Sequence, residues 1–282
     1  MSALLDVDRV GMTYGVGGLL SRRLVRAVDD VSLRLEAGKP EILAIIGESG
    51  SGKTTLARMI LSLAKPTDGR IRFQDTDVTT LRGNRARMRF MRQVQPILQN
   101  PFEAFNPLKR LDRYLFMSAR RLADARGPDI EAAADRALRQ VGLSLAEVGG
   151  RFPHELSGGQ LQRIAIARAL ISSPKLIVAD EPVSMVDASL RMSIVNLFKS
   201  LRDQLEVSII YITHDLATAY YISDRVLIMQ RGRAVESGVA REVLSNPQHA
   251  YARLLKESVL APEDAGKPFA PVTTTSAQPR EP

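Results

Sequence analysis

Gly47-Glu48-Ser49-Gly50-Ser51-Gly52-Lys53-Thr54-Thr55 is the stretch from which the fold is read. It fits G-x-x-x-x-G-K-[ST] at every position, and its flanks suit that motif. Ile42-Leu43-Ala44-Ile45-Ile46 precedes it, a short apolar run of the kind a buried parallel strand needs. Thr54 to Leu63 follows, with Leu56, Met59, Ile60 and Leu63 spaced along one helical face. Strand, glycine loop and helix together make an anion cradle. The glycines let backbone N–H groups turn inward, and the helix N-terminus adds about half a positive charge. Lys53 is placed to reach β- and γ-phosphates, and the Thr54 hydroxyl to ligate Mg²⁺. The pattern predicts a nucleoside-triphosphate site.

Composition sets the bounds around that site. A chain of 282 residues can bury a substantial core, as one large α/β domain or two lobes. Cysteine is absent, which excludes disulfides, thiolate zinc sites and iron–sulfur clusters and suits a reducing cytoplasm. No apolar run approaches the roughly 18 residues of a membrane span, and the N-terminus lacks a signal-peptide pattern. The net charge of +8 favours an anionic partner (nucleotide, acidic lipid or nucleic acid) or a solubilising surface.

Leu5, Val7 and Val10 lead into Met12-Thr13-Tyr14, an expected edge strand, and Gly15-Val16-Gly17-Gly18 reads as a flexible turn. Val31 to Leu35 alternates with period two, a half-buried strand, and Ile71 with Phe73 predicts another. From about Thr79 the character changes: arginines crowd at 82, 85, 87, 89 and 92, and helical patterns are expected as far as Ile171. Strand patterns resume at Leu176-Ile177-Val178, Ser208 to Ile212 and Val226-Leu227-Ile228, with helices between them, the clearest from Leu190 to Leu205. Such alternation implies a largely parallel sheet wrapped by helices, with the middle block inserted into it. Gln230-Arg231-Gly232-Arg233 reads as a closing turn. After Leu260 the chain is rich in Pro, Thr and Ala, and disorder is expected over 261–282.

A second set of chemical groups says what the triphosphate is for. Leu176-Ile177-Val178-Ala179 runs straight into Asp180-Glu181, placing two carboxylates at the C-terminal edge of a core strand, where ligands of open α/β sheets bind. Asp180 is placed to hold Mg²⁺, and Glu181 to orient and deprotonate an attacking water. Upstream, Leu156-Ser157-Gly158-Gly159-Gln160 opens a helical run and forms a second phosphate-compatible helix N-terminus. With this run between the phosphate loop and the acidic strand end, the chain resembles the ATP-binding-cassette family, whose signature is LSGGQ.

That resemblance implies an ABC-type nucleotide-binding fold: a P-loop α/β domain with a mostly parallel core sheet, an N-terminal antiparallel β-subdomain and an inserted helical subdomain. The cassette would cover residues 1–260, with the helical insert at about 85–172 and a C-terminal extension at about 235–260. The cofactors implied are ATP and Mg²⁺. Two such domains pack head to tail in the family, so Ser157, Gly158, Gly159 and Gln160 would cover the ATP held by the partner's phosphate loop. Gln99 looks like the Q-loop glutamine, which touches Mg²⁺ and relays to a transmembrane partner. Ser184-Met185-Val186-Asp187 looks like the D-loop, differing from the commoner Ser-Ala-Leu-Asp in its middle pair. Ile212-Thr213-His214-Asp215 resembles the H-switch, with His214 at the γ-phosphate, and Tyr14 resembles the aromatic that stacks on adenine. Leu161 stands where related sequences often carry a basic residue, and Lys39-Pro40-Glu41 lengthens the approach to the core strand. Neither change removes a catalytic group.

Three stretches resemble the oligopeptide/dipeptide importer branch, whose peptide, nickel and oligosaccharide importers share these motifs: Gln99 to Phe102 with Phe105-Asn106-Pro107, Phe152 to Glu155, and Asn246 to Tyr251. For such a member the implied partners are a second cassette, identical or homologous, two transmembrane permeases and, indirectly, an external solute-binding protein. Its implied place is the cytoplasmic face of a bacterial or archaeal cell membrane, and no nucleic acid is expected. His154 and His249 read as structural residues rather than metal ligands. Three other readings stand beside the importer: an accessory ATPase of a soluble or phosphonate-metabolising complex, a nucleic-acid-associated cassette, and a nucleotide-binding regulator without turnover. The absence of an aromatic-interleaved basic groove weighs against the nucleic-acid reading, and intact Lys53, Asp180, Glu181 and His214 weigh against the regulator.

Overall fold

Ten strands form two sheets in the computed structural model, which describes residues 2–17 and 23–260. The expected tail, and Gly18 of the expected turn, lie outside the described residues, whereas Gly15 and Val16 of that turn are strand residues paired with Leu24 and Arg23. Strands β1 (Ala3–Val16), β2 (Arg23–Glu36), β4 (Asp68–Phe73) and β5 (Thr76–Asp77) make an antiparallel sheet in the order β2-β1-β4-β5. The second sheet runs β10 (Arg233–Val239), β9 (Arg225–Gln230), β3 (Ile42–Ile46), β8 (Ser208–Thr213), β7 (Leu176–Asp180), β6 (Val94–Ile97). All its neighbours pair in parallel except β10, which turns back on β9. Arg231 and Gly232 both take positive φ at that turn, as a tight hairpin with right-handed strand twist requires.

The helices are α1 (Lys53–Ile60), α2 (Asn84–Gln93), α3 (Leu111–Leu122), α4 (Asp129–Gln140) and α5 (Leu145–Val148). They continue with α6 (Gly158–Leu170), α7 (Ala188–Leu205), α8 (Leu216–Ile222), α9 (Ala240–Ser245) and α10 (Ala250–Leu260). Strand β3 is buried along its whole length, and alternation sorts its side chains onto two faces. Leu43 and Ile45 meet Leu56, Met59 and Ile60 of α1, which also packs on Val28, Val31 and Leu33 of the antiparallel sheet. Helix α1 is thus clamped between the two sheets, and each of its fully buried side chains contributes about 1.5–3 kcal/mol. Ala44 and Ile46 face α8, α9 and α10. Further along the same sheet, Ile177, Ile209 and Tyr211 pack against Ile164 of α6 and Phe198 of α7.

Two expectations are corrected. Strand β1 is an interior strand, flanked by β2 and β4, not an edge. Its partner β2 follows directly in the chain, but β4, the neighbour that makes it interior, is distant in sequence, so that side of the sheet has no local signal. The block expected to be helical from Thr79 to Ile171 contains β6, which pairs with β7 and belongs to the core sheet. Four residues containing Pro96 give no readable period, and Pro96 is tolerated because β6 is the sheet's edge. Leu161 is fully buried in the helical core, which accounts for an apolar residue just after the signature. The lengthened approach to β3 is put to use as well. Glu41 is almost fully buried and pairs with Arg225 at 3.1 Å, which also donates to the Arg34 carbonyl at 3.0 Å, stitching β3's approach to β9 and β2.

Candidate nucleotide site

Register brings the chemistry to one edge of the parallel sheet. Ile97 lies beside Ala179, Asp180 beside Ile212, and Thr213 beside Ile46. The C-terminal ends of β6, β7, β8 and β3 therefore deliver Gln99, Asp180-Glu181, His214 and the phosphate loop to the same place. That is where an open α/β sheet binds its ligands.

The loop's shape depends on its glycines. A Cβ on Gly47 would sit 2.2 Å from the Met229 carbonyl oxygen, and one on Gly52 only 2.3 Å from that of Ala27. Gly52 caps α1 with φ of 101°, a left-handed conformation that glycine adopts without a Cβ penalty. Lys53 is buried and curls back so that Nζ donates to the carbonyls of Gly47 at 2.7 Å and Glu48 at 2.8 Å, with Ser51 Oγ at 3.4 Å. Burial holds its pKa below the usual lysine value, against the opposing pull of Glu181, Asp180 and Glu48. The Thr54 hydroxyl hydrogen-bonds the Asp180 carboxylate. Asp180 is held above the ordinary aspartate range chiefly by burial, with that hydrogen bond pulling the other way.

Glu181 lies at the centre. Its Oε2 accepts from Gln99 Nε2 at 2.9 Å, and its Oε1 lies 3.1 Å from His214 Nδ1. Its backbone has a φ of 44°, uncommon for a non-glycine residue, and its N–H donates to the Ile212 carbonyl at 2.9 Å. Strand β8 thus fixes the turn that aims the carboxylate. Ser49, Gly50, Gly52, Lys53, Thr54 and Thr55 line a cavity of about 660 Å³ that Gln99, Glu181 and His214 complete. A larger cavity, about 900 Å³, opens between the antiparallel sheet and β10, and several of its charges are paired with one another, Arg26 and Arg233 with Asp29 and Arg26 with Asp68.

Other predicted site residues lie apart. Ser157 caps α6: its Oγ accepts from Gln160 N–H at 3.2 Å, and Gln160 Oε1 accepts from Ser157 N–H at 3.0 Å. Ser157, Gly159 and Gln160 line a separate depression with Arg163 and Leu190, not the Lys53 cavity. Gly158 and Gly159 pack on the D-loop segment: added Cβ atoms would lie 3.4 Å from the Met185 carbonyl and 2.9 Å from Leu190 Cδ1. Asp187 is exposed at the start of α7. Tyr14 is exposed on β1 opposite Val25 and does not line the cavity; Ala27, two residues beyond Val25, does. His249 Nδ1 accepts from the Tyr251 N–H, and His154 stacks on Phe152. Sequence reasoning missed Ala27 and Tyr251 as neighbours of the loop, although Tyr251 fell in a stretch already marked as family-like. Its phenol oxygen accepts from the Glu48 N–H at 2.9 Å.

The sequence profile of the ABC transporter family matches residues 28–184, spanning the phosphate loop, Gln99, the signature and the Asp180-Glu181 strand end. The chain belongs to the ABC transporter family. This cassette is 41% identical, over 86% of its length and 71% of the relative's, to the oligopeptide transport ATP-binding protein OppF of Salmonella typhimurium. It is 39% identical, over 86% and 73%, to the oligopeptide transport ATP-binding protein AppF of Bacillus subtilis. Among solved structures, the ATP-binding cassette MJ0796, dimeric in a post-hydrolysis state bound to ADP and Pi, superposes with a TM-score of 0.73 at 26% identity, covering 84% of this chain and 99% of that one. CbiO1 of Clostridium perfringens, part of the ABC transporter complex CbiONQ, gives 0.73 at 25% identity, over 87% and 92%. The chain is an ABC-type ATPase, and the P-loop α/β fold with its antiparallel β-subdomain is that of these cassettes. No described helix is long and apolar enough to cross a membrane.

Proposed function

We propose that this cassette is the ATP-hydrolysing subunit of an importer for peptides or related solutes, acting with separate permease subunits from the cytoplasmic face of the membrane. The observation that carries the chemistry is the Glu181 carboxylate, held between Gln99 and His214 beside a cavity floored by Lys53 and Thr54. Lys53 keeps its bond to the Gly47 carbonyl and exchanges its Glu48 and Ser51 partners for the β- and γ-phosphates of ATP, and the loop's N–H groups cradle the rest. Mg²⁺ fits the donor set: Thr54, Asp180 and Gln99 offer few, hard oxygen ligands, as an ion that keeps waters and phosphate oxygens requires. Bound there, it would neutralise charge on the phosphates. Glu181 takes the proton of the attacking water, and His214 holds Glu181's second oxygen in register.

Ser157, Gly158, Gly159 and Gln160 complete the site of a second cassette, identical or homologous, as their separation from Lys53 within one chain leaves them free to do. Tyr14 packs on the adenine, and Asp187 faces the partner cassette. The helical insert with the segment after Gln99 receives the permease; Arg168 of α6 donates to the Ala104 carbonyl at 3.0 Å and lies over Phe105, tying that segment to the signature helix. Closure around ATP supplies the work, because the closed pair binds ATP more tightly than the open one. An external solute-binding protein delivers the cargo. The peptide branch is supported by identity to OppF and AppF over most of the chain. The test is purification of the tagged chain from native membranes with ATP. Recovery with two multi-span permeases and a second cassette is expected; recovery with soluble enzymes or nucleic acid and no permease would overturn the transport reading.

A further inference from the structure

Helix α10 takes no part in the proposed chemistry, yet one of its side chains touches the phosphate loop. Tyr251 is 7% exposed and packs in the cluster of Ala44, Ile46, Val226 and Ile228 beneath the ends of β3 and β9. Its oxygen accepts from the Glu48 N–H at 2.9 Å, while the carbonyl of the same peptide unit, that of Gly47, accepts from Lys53 Nζ at 2.7 Å. The N–H and C=O of a trans peptide point in opposite directions, so Tyr251 and Lys53 grip one rigid plane from opposite sides. Rotating that plane breaks both bonds together. The loop has no room to brace itself there, since a Cβ on Gly47 would meet the Met229 carbonyl.

Tyr251 is itself well anchored. Its N–H donates to His249 Nδ1 at 3.2 Å, and the Glu236 carboxylate on β10 accepts from the N–H groups of Gln248 and His249, both at 2.9 Å. Arg253 closes the segment onto the Pro247 carbonyl at 3.0 Å. Burial pushes the phenol's pKa upward, so it stays neutral across the physiological range.

We propose that Tyr251 is a positioning residue for ATP: it fixes the Gly47–Glu48 peptide and, through that peptide, the reach of Lys53 to the phosphates. This rests on the assignment of Lys53 to the phosphates. Tyr251→Phe keeps the ring and removes the oxygen. In the full chain it is expected to weaken ATP binding about three- to tenfold, the worth of one hydrogen bond, with turnover at saturating ATP within about twofold of wild type. In a Lys53→Ala background the same substitution is expected to change ATP affinity by less than about twofold, because its effect passes through Lys53. Unchanged ATP affinity in Tyr251→Phe would overturn the proposal, as would an equal loss with and without Lys53. A purely structural tyrosine would lower the melting temperature without that dependence on Lys53. If Lys53→Ala alone leaves ATP affinity unaltered, the phosphate assignment itself fails and takes the proposal with it. Amide exchange on the wild-type chain gives a check that needs no variant: slow exchange of the Glu48 N–H is expected, and free exchange would contradict the contact.

Discussion

Two glycines of the phosphate loop look interchangeable in the motif, yet the structure separates them sharply. Gly50 and Gly52 both have positive φ, 80° and 101°. An alanine at either pays about 1–2 kcal/mol for that conformation. At Gly50 a Cβ would find nothing within 4 Å, so the conformational cost is the whole effect in the free protein. At Gly52 the Cβ would lie 2.3 Å from the Ala27 carbonyl oxygen and 3.4 Å from the Gly232 Cα. A relaxed carbon–oxygen contact is roughly 3.3 Å, so the loop must retreat by about 1 Å, and both obstacles are backbone. Misplacement on that scale can cost about a hundredfold in a positioned site. Gly52→Ala is therefore expected to weaken ATP binding by about 10- to 100-fold and to lower the melting temperature by more than Gly50→Ala. The latter is expected to fall by only about 2–8 °C. Fluorescence titration with ATP and thermal melts of the two variants make the comparison. Gly52→Ala binding ATP within twofold of wild type, or equal losses of melting temperature, would refute the steric reasoning.

Further outcomes follow from the same geometry. Ser157→Arg fills the approach to the signature glycines without touching the Lys53 cavity; it is expected to leave ATP binding to its own chain within about threefold but to abolish ATP-dependent cassette pairing, and normal pairing by sedimentation would refute the shared site. Glu41 carries a pKa raised mainly by burial, so its contribution to stability is fully present below the ordinary glutamate range and is lost as pH rises through the folded value. The urea midpoint of wild type relative to Glu41→Gln should therefore fall as pH rises from the acid side toward neutrality; a rise would show that the pair with Arg225 outweighs the desolvation.

Much of the site was legible because its residues sit in short runs whose neighbours carry the signal. The phosphate loop is local in sequence, and Asp180-Glu181 and His214 each end an apolar run, which is enough to place them on one sheet edge. The sequence does not contain the order of the strands. Nothing local says that β8 lies between β3 and β7, and only that order puts His214 within reach of Glu181. The same blindness made β1 an edge and hid β6 in a helical block. Tyr251 was missed for a related reason: its contact with Glu48 spans some two hundred residues, and a lone tyrosine carries no periodic signal.

The proposed role of Glu181, held by Gln99 and His214, is that of the base for ATP hydrolysis. Glu181→Gln isolates that role, since the amide keeps the side chain's size and can still bond both neighbours while losing the capacity to take a proton. Single-turnover hydrolysis and ATP binding should be measured on the same sample. The expected result is a loss of about 10²- to 10⁴-fold in rate with ATP binding retained. Hydrolysis within threefold of wild type would rule out Glu181 as the base.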